Sequence, residues 1–168
     1  NPCSPTVASF SVSSSTVCVG QNATITDASS NATSWTWNFG SDASPATASG
    51  VGPHTVNYLA SGVKTISLTV NGTTTSTQTI MVNSSPILSV NSGSICSGTS
   101  FTMTPSGALT YTYTGGSAIV SPTTTTSYTV TGTDANGCVS SAPAVSNVTV
   151  NFCAVDAAAL NFDGINDR

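Results

Sequence analysis

Side-chain catalysis needs a base or nucleophile held against partners, and this chain of 168 residues offers one histidine, His54, and no glutamate. Its six acids are all aspartate, its basic residues are Lys64 and Arg168, and charged side chains make up 5% of the sequence. A Ser-His-Asp set can be assembled on paper, because serines and aspartates abound, yet no nucleophile-elbow sequence accompanies His54. The expected set of catalytic residues is therefore empty, and the chain reads as a non-enzyme. Asn161, Asp163 and Asp167 place oxygen ligands at alternating spacing around Gly164, a pattern that suits calcium and equally suits a solvated turn. Asp27, Asp42 and Asp134 fall in separate turns. No other cofactor is expected. Five cysteines, Cys3, Cys18, Cys96, Cys138 and Cys153, stand in a chain too poor in histidine and acids for a metal site. Disulfides in an oxidising, extracellular compartment are the better use of them.

These residues must be positioned by strands. Trp35, Trp37 and Phe39 share one face at period two, as do Ile66, Leu68 and Val70, and turn residues separate such runs at short intervals. Two tryptophans on one face could stack sugars, but with Phe39 beside them the core is the expected place, as it is for Tyr111, Tyr113 and Tyr128. Segments 7–15, 22–29, 34–40, 54–59, 63–70 and 77–82 read as strands. After Ser84-Ser85-Pro86 the pattern restarts, with strands expected over 87–92, 100–106, 109–115, 117–122, 126–133 and 145–151. Asp134-Ala-Asn-Gly137 forms a hairpin turn between the last two. The fold class is all-β, two tandem Ig-like β-sandwiches, with domains over 1–84 and 85–151 and a tail, linker or first strand of a following domain over 152–168.

A net charge of −4 excludes a nucleic-acid footprint, and no apolar run approaches the roughly 20 residues of a membrane span. Serine and threonine supply about a third of the residues, and threonine faces water comfortably on a sheet. Five N-x-S/T sequons, at Asn22, Asn31, Asn71, Asn83 and Asn147, together with these hydroxyls offer acceptors for glycans. No signal-peptide pattern opens the sequence, which is expected to be a mature or excised piece of a longer protein.

Residues 5–83 resemble a PKD domain, an Ig-like module of bacterial surface proteins and secreted enzymes. The carriers are Val19-Gly20-Gln21, Thr26-Asp-Ala-Ser-Ser, Trp35-Thr-Trp37-Asn-Phe39-Gly40, His54-Thr-Val-Asn-Tyr58, Gly62 and Lys64-Thr-Ile-Ser-Leu-Thr-Val70, with Asn38 where the family has Asp. The resemblance implies that His54 and Tyr58 are structural. Residues 86–151 are similar to an Ig-like repeat of Bacteroidetes-type adhesins, through Ile95-Cys96-Ser-Gly98, Tyr111-Thr-Tyr113, Ser121 to Val130 and Asp134 to Cys138. The run from Ala159 to Asp167 is similar to the opening strand of laminin-G-like, concanavalin A-type domains. It also resembles the start of gliding-associated sorting domains, although the Asn-Gly before the Asp is missing.

Analogy within the second Ig-like module would pair Cys96 with Cys138. Ig topology puts them at opposite ends of a sandwich, about 20 Å apart at a rise of about 3.3 Å per residue, against the roughly 4.4–6.8 Å between disulfide Cα atoms. With modules head to tail, Cys18 would face Cys138 and Cys96 would lie near Cys153. Those are the expected bonds, with Cys96–Cys138 the alternative and Cys3 left to bridge a subunit or preceding domain. The reading implied is a structural or adhesive segment of a secreted protein of the bacterial cell surface, a stiff stalk or a filament subunit. Its alternative is an accessory polysaccharide- or protein-binding region of a secreted hydrolase. Expected partners are neighbouring domains or copies of the same protein, surface glycans, and host or environmental polymers. A donated strand using Ala159, Leu160 and Phe162 is one route to a filament.

Overall fold

A computed structural model describes residues 4–153. Cys3, the calcium candidates Asn161, Asp163 and Asp167, and the strand candidates Ala159, Leu160 and Phe162 lie outside the described residues. The described chain is all-β and forms Ig-like sandwiches. It divides into two compact units, one comprising the residues up to Pro86 together with Thr133–Ser141, the other Ile87–Gly132 and the residues from Ala142 onward. The turn segment Thr133–Ser141, which lies within 85–151 of the sequence reading, thus groups with the first unit.

The first unit contains β1 (Phe10–Val12), β2 (Thr16–Cys18), β3 (Asn22–Asp27), β4 (Trp35–Asn38), β5 (Ala43–Ser44), β6 (Thr47–Ser49), β7 (His54–Tyr58), β8 (Gly62–Val70) and β9 (Thr74–Asn83). One sheet runs β1-β3-β7-β5 and the other β2-β9-β8-β4-β6. Period-two patterning decides which side chains meet between them: Ile66, Leu68 and Val70 of β8 and Ile80 and Val82 of β9 are buried, while Thr65, Thr79 and Met81 face out. Phe10, Ile25, Trp37, Phe39, Val56 and Tyr58 complete the core. Each large aliphatic enclosed there contributes about 1.5–3 kcal/mol.

Segment 7–15, expected as one strand, is broken. β1 pairs antiparallel with β3 and β2 pairs parallel with β9, so the chain changes sheets at the serines 13–15. Their hydroxyls supply the reason, since short polar side chains satisfy backbone groups that a ladder would otherwise bond. Ser14 Oγ donates to the Thr16 carbonyl and accepts from the Thr16 N–H, and Ser13 Oγ accepts from the Thr24 N–H.

The second unit contains β10 (Gly93–Cys96), β11 (Phe101–Thr102), β12 (Thr110–Tyr113), β13 (Ile119–Val120), β14 (Thr126–Thr133) and β15 (Ala144–Asn151). Its sheets are β10-β15-β14-β12 and β11-β13. The core is thinner, with Met103, Val120 and Val130 buried and Val90, Phe101, Tyr111, Tyr113 and Tyr128 packed against them. The strand expected over 87–92 is reduced to a bridge between Ser89 and Ser106, because the Asn91 amide stands in for the ladder. Its Nδ2 donates to the Thr102 carbonyl and its Oδ1 accepts from the Thr104 N–H. Regular pairing resumes at β10, parallel to β15.

Candidate functional site: two disulfides and an engaged histidine

His54 sits on β7 opposite Ile25. Its ring lies 5.3 Å from Trp37 and 5.7 Å from Phe39, centroid to centroid. Nε2 is 3.3 Å from the Gly50 carbonyl, which also accepts from Trp37 Nε1 at 2.8 Å. A carbonyl can only accept, so the contact assigns the proton to Nε2. Gly52, at φ 83°, closes the arrangement: a Cβ there would stand 3.0 Å from the His54 ring. Tyr58 is fully enclosed, its hydroxyl donates to the Phe39 carbonyl at 2.9 Å, and burial raises its pKa above the usual phenol value. Histidine, tryptophan and tyrosine are held together here as packing groups.

Of the residues expected in the core, Trp37, Phe39 and Tyr58 are fully buried, whereas Trp35, His54, Tyr111, Tyr113 and Tyr128 are half-buried. Trp35 is tethered through Nε1 to Asp27 Oδ2 at 2.9 Å. Tyr111 turns its hydroxyl onto both the N–H and the carbonyl of Ala108.

Each described aspartate serves its own neighbourhood. Asp27 Oδ1 accepts from the Ser29 N–H and hydroxyl. Asp42 Oδ2 accepts from Lys64 Nζ at 2.7 Å. The Lys64 hydrogen bond and charge hold its carboxyl below the usual carboxylate pKa. Asp134 Oδ1 accepts from the Asn136 and Cys138 N–H groups. Among the described residues no three His, Cys, Asp or Glu side chains gather in a way that could hold a metal.

The Asp134 bonds shape the turn that presents Cys138. Cys18, at the end of β2, is oriented by Gln21, whose Oε1 accepts from the Cys18 N–H at 3.2 Å. The two cysteines are disulfide-bonded with Cα atoms 5.6 Å apart and a sequence separation of 120, and both are buried. In the second unit the parallel register places Cys96 opposite Asn151, and Cys96 is bonded to Cys153 with Cα atoms 5.4 Å apart. The alternative Cys96–Cys138 is therefore corrected. Each of those cysteines already has another partner, Cys138 in the turn that groups with the first unit and Cys96 at the end of β10.

Two features escaped the sequence reading. Asn71, at φ 51° in the β8–β9 turn, is a hub. Its Oδ1 accepts from the Thr33 N–H and hydroxyl and the Ser34 N–H, and its Nδ2 donates to Thr6 Oγ1 and the Asn31 carbonyl. Asn71-Gly72 was a visible turn signal, but its partners are distant in sequence. The second is the outer face of the five-stranded sheet, where register aligns uncharged polar residues in rows such as Thr77, Ser67, Asn38 and Thr47.

No family model matches the chain, and no curated protein matches it. Among solved structures it is similar to a carbohydrate-binding module of the β-sandwich superfamily, at 18% identity over 76% of this chain and 54% of that one, TM-score 0.40. It is also similar to three N-terminal domains of the outer capsid protein Hoc of bacteriophage RB49, at 11% identity over 87% and 59%, TM-score 0.41. A third similarity is to the N-terminal four Ig domains of Dscam1 isoform 6.9, at 12% over 90% and 48%, TM-score 0.34. The chain spans about half to three-fifths of the length of these structures.

Proposed function

We propose that the chain is a non-catalytic, load-bearing segment of a secreted bacterial cell-surface protein, a PKD-like module followed by an adhesin-type repeat that acts as a stiff stalk or filament subunit. One observation carries this reading. The Cys18–Cys138 bond has a sequence separation of 120, so a pull applied through the two ends of the chain passes across the disulfide and bypasses everything between. The shielded strands, β3 to β14, belong to both units, while β1, β2 and β15 lie outside the loop and stay on the path of tension. In the chain-entropy picture a loop of this length also stabilises the fold by about 4–5 kcal/mol. Two disulfides suit an oxidising, extracellular setting. The stacking of His54 on Trp37 and Phe39 favours a packing role over a catalytic one.

Antibodies against residues 4–153 test the placement. The reading expects them to label intact cells of the producing organism, and labelling only after permeabilisation would contradict it. The uncharged polar rows on the outer sheet face favour a second reading, an accessory polysaccharide-binding region of a secreted hydrolase. Pull-down of the chain by insoluble polysaccharides, abolished by replacing Thr77 and Ser67 with lysine, would support that alternative.

A further inference from the structure

Among the described residues of the second unit one side is open in both sheets. β12 ends the four-stranded sheet and β13 is paired only with β11, and the two open strands are joined by the turn at Gly116, whose N–H donates to the Tyr113 carbonyl. An unpaired edge is a template for another strand, and proteins that must stay apart blunt it with charge, proline or brevity. The first unit follows that rule: none of its edge strands, β1, β5, β2 and β6, exceeds three residues, and Pro45 stands between β5 and β6. β12 does not. Its sequence Thr-Tyr-Thr-Tyr is all β-former, no proline interrupts it, and residues 87–132 and 142–153 contain no charged side chain at all.

The backbone of this edge is self-complementary. The Thr114 N–H donates to the Thr129 carbonyl of β14. By the alternation of an antiparallel ladder, Thr110 and Thr112 also turn their backbone groups to β14, while Tyr111 turns its N–H and carbonyl outward and Tyr113 its N–H, the Tyr113 carbonyl being taken by Gly116. Leu109, at the start of the strand, is 69% exposed.

We propose that β12 is a homodimerisation edge, pairing antiparallel with β12 of a second copy about a two-fold axis at Tyr111. The Tyr111 N–H and carbonyl of each copy then bond those of the other, and the exposed Leu109 of one covers Tyr113 of its mate. The absence of charge removes the repulsion that would oppose two identical edges meeting. A self-complementary edge closes as an isologous pair and extends the sheet through the dimer. The inference stands apart from the stalk reading, since it concerns one edge of one unit and holds whatever load the chain carries.

Sedimentation velocity on the whole chain carrying Cys3→Ser, which removes cysteine bridging, tests it. A concentration-dependent dimer is expected. Leu109→Lys with Thr112→Lys places charges on exposed positions and should give monomer at every concentration, with unchanged circular dichroism and both disulfides intact. In the proposed register Thr110 faces Thr112 of the second copy as a non-hydrogen-bonded pair, where Cβ atoms are about 4.5–5.5 Å apart. Thr110→Cys combined with Thr112→Cys should therefore form an intermolecular disulfide under mild oxidation. A strictly monomeric Cys3→Ser chain, a dimer indifferent to the lysines, or a dimer lacking the 110–112 cross-link would each overturn the proposal.

Discussion

Lys64 is 4% exposed on β8, and its ammonium rests on the largely exposed Asp42 carboxylate. Removing a partner from an enclosed charge costs more than the pair contributes, so Asp42→Asn should lower the thermal midpoint. The same pair makes an acid-sensitive contact. The folded pKa of Asp42 lies below the value of 3.8 proper to an unperturbed side chain, so its contribution is complete above that value and is lost as pH falls through the lower, folded one. Urea titrations at descending pH should show this acid loss in the native chain and a shallower one in Asp42→Asn. Asn71 makes a second residue-scale prediction. Asn71→Gly keeps the left-handed backbone but deletes the amide that ties the β8–β9 turn to Thr6 and 31–34. It should cost about 1–2 kcal/mol, read as a lower urea midpoint with an unchanged slope. At this scale the sequence was readable where contacts are local. Trp37 in β4 and Phe39 just past its end are two apart in sequence, so their shared face is visible in the spacing, whereas nothing near Asn71 announces partners 37 to 65 positions away.

Strand pairing explains which cross-link should yield first. Cys153 lies exposed just past β15, whereas Cys18 and Cys138 are buried, the latter with no exposed surface. Thiol–disulfide exchange requires access to sulfur. A graded reductant followed by alkylation and peptide mass analysis should therefore label Cys96 and Cys153 before Cys18 and Cys138, and the reverse order would count against the described burial. Once both bonds are open, a stretching force would meet the parallel pairs β2–β9 and β10–β15, which join the second and last strands of the first unit and the first and last strands of the second. Most of these elements were foreseeable from period two and turn residues. The failures share one cause: at the serines 13–15 and at Asn91, side chains replace ladder bonds, and hydrophobic patterning does not record such substitutions. Two short strands, β5 and β6, also escaped, because two or three residues outside any longer alternating run carry too little pattern to be recognised.

For the whole chain the account rests on covalent connectivity. Cysteine positions alone left two pairings open for Cys96 and Cys138, since spacing does not specify connectivity; the folded positions of β2, β10 and the Asp134 turn decide between them. The central claim is that the Cys18–Cys138 bond removes the intervening residues from the path of tension. Single-molecule pulling through tags at the two ends, without and with reductant, measures this directly. At about 3.3–3.6 Å per extended residue, a separation of 120 corresponds to about 400 Å of hidden length. The account predicts that the oxidised chain stops short by that amount and that full reduction restores it, whereas Cys18→Ser with Cys138→Ser restores only about 200 Å, because Cys96–Cys153, with a separation of 57, stays closed. A chain that reaches full extension before any reductant is added would contradict it.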